Sequence, residues 1–125
     1  MRQIASSKAP NVIGTYSQAI RVDKTVYISG QIPLDPATQV LCSEDIHAQI
    51  TQVIQNLEAV CVAAEGSLAE VAKVTVYLMD LTHSTLVNDL MKAYFKEPYP
   101  ARVTIQVAGL PRGAQIEIDA IMVLR

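Results

Sequence analysis

A chain of 125 residues has room for one sizeable hydrophobic core and is expected to form a single domain over 1–125. The formal net charge is −2, with acids and bases scattered and Trp absent. That supplies neither the basic stripe nor the stacking platforms of a nucleic-acid binder. Half of the residues are apolar, a greasy composition that points to apolar surface hidden between subunits. Charged or polar residues nevertheless interrupt every candidate bilayer-spanning stretch. Met1–Ser7 lacks the apolar run of a signal peptide, so a cytoplasmic protein with no membrane partner is expected.

In chain order, residues 2–5 form a short candidate strand, and residues 17–22 and 25–29 read as two strands joined by a turn at Asp23-Lys24. Gly30 ends the second strand, and Pro33, Asp35 and Pro36 mark a loop. Ser43 is placed to cap a long helix, with Glu44 and Asp45 against its positive end. Ile46, Ile50, Val53, Ile54, Leu57, Val60, Cys61 and Ala64 follow helical spacing, and Gly66 is the expected stop. His47, Thr51, Gln55 and Glu58 take the polar face. A strand over 70–79 follows, with Ala72, Val74, Val76 and Leu78 alternating against Lys73, Thr75 and Tyr77. The spacing of Leu86, Val87, Leu90, Met91, Tyr94 and Phe95 predicts a second helix over 83–96, ended by Pro98 and Pro100. Two helices of this length cover one face of such a sheet, leaving the other to water or another subunit.

Two strands close the chain. In the first, Val103, Ile105 and Val107 share a face and Arg102, Thr104 and Gln106 take the other; in the second, Ile116, Ile118, Ala120, Met122 and Leu124 oppose Glu117 and Asp119. The turn-rich connection 108–113 predicts an antiparallel hairpin. Keeping apolar beside apolar sets Arg102 opposite Asp119 and Thr104 opposite Glu117, on the face the helices leave open. A guanidinium among carboxylates there is either a structural ion pair or a fork for a ligand carboxylate. Glu117 is either a structural acceptor or, near apolar neighbours, an acid of raised pKa suited to proton transfer. Tyr16, after the Gly14 turn, packs at an edge or lines a site, and Ser29-Gly30 offers strand-end backbone amides.

Other chemistries find less support. Along one helix Cys42 and Cys61 would stand roughly 28 Å apart, beyond the about 7 Å a disulfide spans, so both are expected to be structural. His47 and His83 have no second ligand at metal spacing, and no metal site is expected. Phosphate-loop, dinucleotide and nucleophile-elbow patterns are absent. The pattern reaches a small-anion site with an acid beside it.

Four segments carry a resemblance: Ile13-Gly14-Thr15-Tyr16-Ser17-Gln18-Ala19; Ser29-Gly30-Gln31-Ile32-Pro33-Leu34-Asp35-Pro36; Val76-Tyr77-Leu78-Met79-Asp80-Leu81 with Val87-Asn88; and Pro100-Ala101-Arg102 leading to Ile116-Glu117-Ile118. In this order, over nearly the whole chain, they resemble the RidA (YjgF) family of enamine/imine deaminases. The resemblance implies a chorismate-mutase-like α+β fold, a mixed sheet with two helices on one face, and a homotrimer with ligand clefts between subunits. It implies hydrolysis of reactive 2-imino acids, such as those released by pyridoxal-phosphate dehydratases, to 2-keto acids and ammonia without a cofactor. By the same resemblance Arg102 holds the substrate carboxylate and Glu117 activates water. Thr104 contributes backbone hydrogen bonds, and Tyr16, Ser29, Gly30 and Asn88 line the cleft. Three departures bear on specificity: Thr104 stands where several well-known members have cysteine, Thr15 replaces a frequent proline, and 97–100 is a shorter connection than in some relatives. Alternative functions are a non-catalytic 2-keto-acid binder and an endoribonuclease or translation inhibitor.

Overall fold

The structure, a computed structural model, describes residues 1–125. Six strands form one mixed sheet: β1 (Arg2–Ile4), β2 (Ala19–Val22), β3 (Thr25–Gln31), β4 (Val71–Leu78), β5 (Ala101–Gln106) and β6 (Ile116–Val123). Two helices, α1 (Ile46–Ala63) and α2 (Ser84–Tyr94), complete the fold. The spatial order is β1-β2-β3-β6-β4-β5. The β2–β3 hairpin turns at Asp23, whose φ of 54° suits a tight two-residue turn.

The apolar faces of the strands and the stripe of α1 meet in one core. Ile50, Val53, Ile54, Leu57 and Val60 of α1 pack with Val74, Val76 and Leu78 of β4 and Ile116, Ile118 and Met122 of β6, all fully buried or nearly so. Each such side chain contributes about 1.5–3 kcal/mol by burial. Helix α2 adds Val87 and Met91, with Phe95 just beyond it. Both helices lie on the same side of the sheet. The other side is uncovered and presents Tyr27, Val103, Ile105 and Val123 as exposed apolar residues.

Four local expectations change. Asp45, not Ser43, caps α1 and accepts from the Ala48 amide at 2.9 Å, while Ser43 Oγ accepts from the Asp45 amide. Cys42 therefore lies before the helix, and both cysteines are free. At the other end Glu65, with φ of 66°, takes the left-handed position assigned to Gly66. The Gly66 and Glu65 amides then bond back to Cys61 and Val62 in a Schellman arrangement. Gly66 is needed for a different reason: a Cβ there would come within 2.7 Å of Met122 Sδ. In β4 an irregularity between Val71 and Lys73 turns Ala72 outward and Val71 into the core.

The largest correction concerns the last two strands. β5 and β6 do not pair. β5 runs parallel to β4, with Arg102 beside Val74 and Thr104 beside Val76, and β4 separates it from β6. α2 forms the crossover that a parallel pair requires. Register then fixes direction: Arg102, Thr104 and Gln106 share the helix-covered side with Val74, Val76 and Leu78, and Val103 and Ile105 point to the open side. Matching apolar to apolar predicted the reverse because β5 is an outer strand whose exposed apolar side faces away from the core.

Candidate active site

The residues singled out from the sequence fall into two groups on opposite sides of the sheet. The first surrounds Arg102. At the outer edge of β5 the guanidinium reaches toward α2, where Nη1 lies 3.6 Å from Met91 Sδ. It opens into a cleft of about 370 Å³ lined also by Asn88, Lys92, Phe95 and Tyr99. Helix periodicity puts Asn88, Met91 and Lys92 on one side of α2, so the cation stands in a pocket with an apolar floor. The predicted pairing with Asp119 does not occur, because the two residues face opposite sides of the sheet. Thr104 follows on the same strand, half-buried beside Val76. The outer edge of β5 has no strand beside it, so its outward backbone groups are free to bond a ligand or another chain.

The second group surrounds Glu117. A cleft of about 310 Å³ is lined by Tyr16, Ser29, Gly30, Ile32, Pro111 and Glu117. The β3–β6 register slips between Ile28 and Gln31, placing Ser29 and Gly30 at the irregularity. Ser29 Oγ donates to the Ser17 carbonyl at 2.6 Å and its amide donates to the Gln18 carbonyl at 2.9 Å. Its hydroxyl thus ties two segments together. Gly30 is required by close approach, since a Cβ at that position would overlap the Glu117 carboxylate. The Tyr16 hydroxyl accepts from the Ile13 amide at 3.4 Å, which lays the ring over its own turn at the mouth of the cleft.

Glu117 is half-buried, and burial raises its pKa above the ordinary value, with the nearby Asp119 charge adding to the rise. Asp119 lies two residues on along the same face. Its partner is Tyr77, whose hydroxyl donates to Oδ2 at 2.7 Å. That bond, with burial second, raises the tyrosine's own pKa, so its proton stays in place as a donor.

Sequence reasoning missed the buried amides that shape these clefts. Asn56 of α1 donates to the carbonyls of Ile32 and Leu34 at 3.1 and 3.0 Å. Gln49 donates to the Ser43 carbonyl and accepts from the Gln115 amide, just before β6. Gln18 holds Ser6 and Pro10 against the start of β2. A signal existed for two of them: Gln49 and Asn56 interleave with Val53 and Val60 at helical spacing, on the side of α1 that had to be buried. Tyr77 was visible only as a member of an alternating strand.

The endoribonuclease L-PSP family model matches residues 6–124. Human 2-iminobutanoate/2-iminopropanoate deaminase is 43% identical over 122 residues, covering 98% of this chain and 89% of the human protein. RidA from the Antarctic bacterium Psychrobacter sp. has a crystal structure that superposes with a TM-score of 0.96 at 47% identity, covering 99% of this chain and 100% of that one. E. coli TdcF, crystallised with bound serine, superposes at 0.94 with 33% identity over 100% of both chains. Joined to the mixed six-stranded sheet under two helices, these matches make the chain a member of the endoribonuclease L-PSP family, to which the RidA (YjgF) proteins belong.

Proposed function

We propose that this protein is a 2-iminobutanoate/2-iminopropanoate deaminase that works in the cytoplasm as a homotrimer, with each active cleft assembled from two copies. One observation carries the assembly: Arg102 and Glu117 open into clefts on opposite sides of one sheet, so a substrate held by both needs a second chain. The exposed apolar side chains Tyr27, Val103, Ile105 and Val123 give the open face a reason to meet another copy. The imine activity is supported by the family and by the human relative's name.

In this reading the Arg102 guanidinium of one subunit forks the substrate carboxylate. Outward backbone groups of β5 near Thr104 bond the substrate or water, and Asn88 lines the Arg102 side of the cleft. Tyr16, Ser29 and Gly30 of the partner subunit form the opposite wall, and the partner's Glu117 meets the water. A water proton passes to the Glu117 carboxylate as the water oxygen bonds to the imine carbon, and the C=N π pair moves onto nitrogen. The nitrogen takes back the proton held by Glu117, then gains a second from the carbinol oxygen, and departs as ammonia as the C–N bond breaks. The carbinol oxygen loses its proton and becomes the ketone, so imine plus water yields 2-keto acid plus ammonia. Because imines already hydrolyse in water, positioning and one well-placed proton carrier suffice.

A serine dehydratase that releases 2-aminoacrylate supplies the test. Added protein is expected to speed keto-acid release, and Arg102→Ala to lose most of that acceleration while remaining folded. Full activity in the variant would remove Arg102 from the role assigned to it. Ligand binding without acceleration by the wild type would instead make the protein a carboxylate binder.

A further inference from the structure

Two carboxylates, Glu117 and Asp119, share the open face of β6, about 6.8 Å apart by the strand rise. Only one needs to exchange a proton in the proposed reaction, and their surroundings differ. Asp119 sits beside Thr75 and receives the Tyr77 hydroxyl at 2.7 Å. Glu117 sits directly across from Tyr77 in the β4–β6 register, yet the Tyr77 hydroxyl passes it and bonds Asp119. Glu117 instead lies over Gly30, in the cleft that Tyr16 also lines.

We propose that Asp119, fixed by Tyr77, is a positioning residue that acts through Glu117, making Glu117 the carboxyl that trades a proton with the reacting water. Tyr77 holds Asp119 as a stationary negative charge on a strand that cannot turn it away. That charge works against a second negative charge on Glu117, so of the two carboxylates Glu117 holds a proton the more readily and is the one that accepts it from the water. The groups facing Glu117 are few. β4 supplies Tyr77 and β6 supplies Asp119, β3 offers only Ser29 and Gly30, and the segment before β2 supplies Tyr16. After Pro111, Arg112 turns its guanidinium to the Gln39 carbonyl. In the proposed trimer the partner subunit's Arg102 approaches with the substrate carboxylate as its counter-ion.

This inference rests on Glu117 being the proton carrier of the proposed reaction, and its test separates the two. Selective 13C labelling of glutamate carboxyls follows Glu117 by NMR in the assembled protein, with Glu117→Gln identifying its resonance. Asp119→Asn keeps the shape and an oxygen able to accept from Tyr77 but removes the charge. The Glu117 midpoint is expected to fall by roughly 0.5–1 unit. Tyr77→Phe removes the donor and leaves the charge, so the midpoint is expected to stay or rise. An unmoved midpoint in Asp119→Asn, or an equal fall in Tyr77→Phe, overturns the inference. The acidic limb of kcat/KM for imine hydrolysis is expected to shift with the midpoint. A moved midpoint with an unmoved limb keeps the coupling and removes Glu117's proton from the reaction. Absence of acceleration in the wild type overturns the deaminase reading, while the titration still decides the coupling.

Discussion

Single residues carry opposite demands in this molecule. Glu117 is held where burial and a neighbouring acid oppose its charge, which suits proton transfer and costs stability. Its folded pKa lies above the ordinary 4.5, so the folded chain binds that proton more tightly than the unfolded one. Stability from this group is therefore present below the ordinary value and lost as pH rises through the raised one. Glu117→Gln abolishes the dependence: thermal melts are expected to favour the variant progressively as pH rises above the ordinary carboxylate value, while deamination falls by about 100-fold or more. A wild-type advantage that grows with pH would reverse the assigned direction. The cysteines show burial as the leading cause. Burial first, then the charges of Glu58 and Glu70, push Cys61 up to about 12, and burial raises Cys42 as well. Since the thiolate is the reactive form, a thiol reagent at neutral pH is expected to leave Cys61 unmodified in the folded protein and to label it after denaturation.

At the scale of elements, α1 does more than cover the sheet. Its Asn56 bonds two carbonyls of the loop that follows the Glu117-facing strand, and its Gln49 holds the residue before β6. Asn56→Ala leaves the Ile32 and Leu34 carbonyls without that donor and is expected to destabilise by about 1–3 kcal/mol. Urea unfolding measures the loss, and hydrogen exchange is expected to quicken first around residues 32–34. Unchanged exchange there would show that Asn56 does not hold the loop. These details also show where sequence patterns run out. The hairpin β2–β3, both helices and the alternation in β4 and β6 were legible, because each element buries one periodic face. The neighbour of β5 was not, because alternation gives a strand its two faces without saying which strand lies beside it or which face meets the helices. Val103 and Ile105 read as core residues and are exposed; their apolar character belongs to the open face. Tyr16, Ser29, Gly30 and Glu117 came together in one cleft and Asn88 with Arg102 in another. Nothing in residue periodicity separates two such groups by the thickness of a sheet. Family resemblance named them, and register divided them.

For the whole molecule, the division makes assembly part of the proposed chemistry. The open face is expected to be the contact between copies, so Ile105→Asp should shift the protein from trimer toward monomer in sedimentation and remove deaminase activity with it. A monomer that retained full activity would mean that each chain carries a complete site. The central claim, a cleft joining Arg102 of one subunit to Glu117 of its partner, is tested most directly by mixing two inactive variants. Arg102→Ala and Glu117→Gln, each purified alone, should both fail to speed 2-aminoacrylate hydrolysis. After unfolding together and refolding in equal amounts, random trimers place an intact Arg102 against an intact Glu117 in about a quarter of their clefts. Recovery of about a quarter of wild-type activity is expected. Mixed trimers that form and remain as inactive as either parent would contradict it.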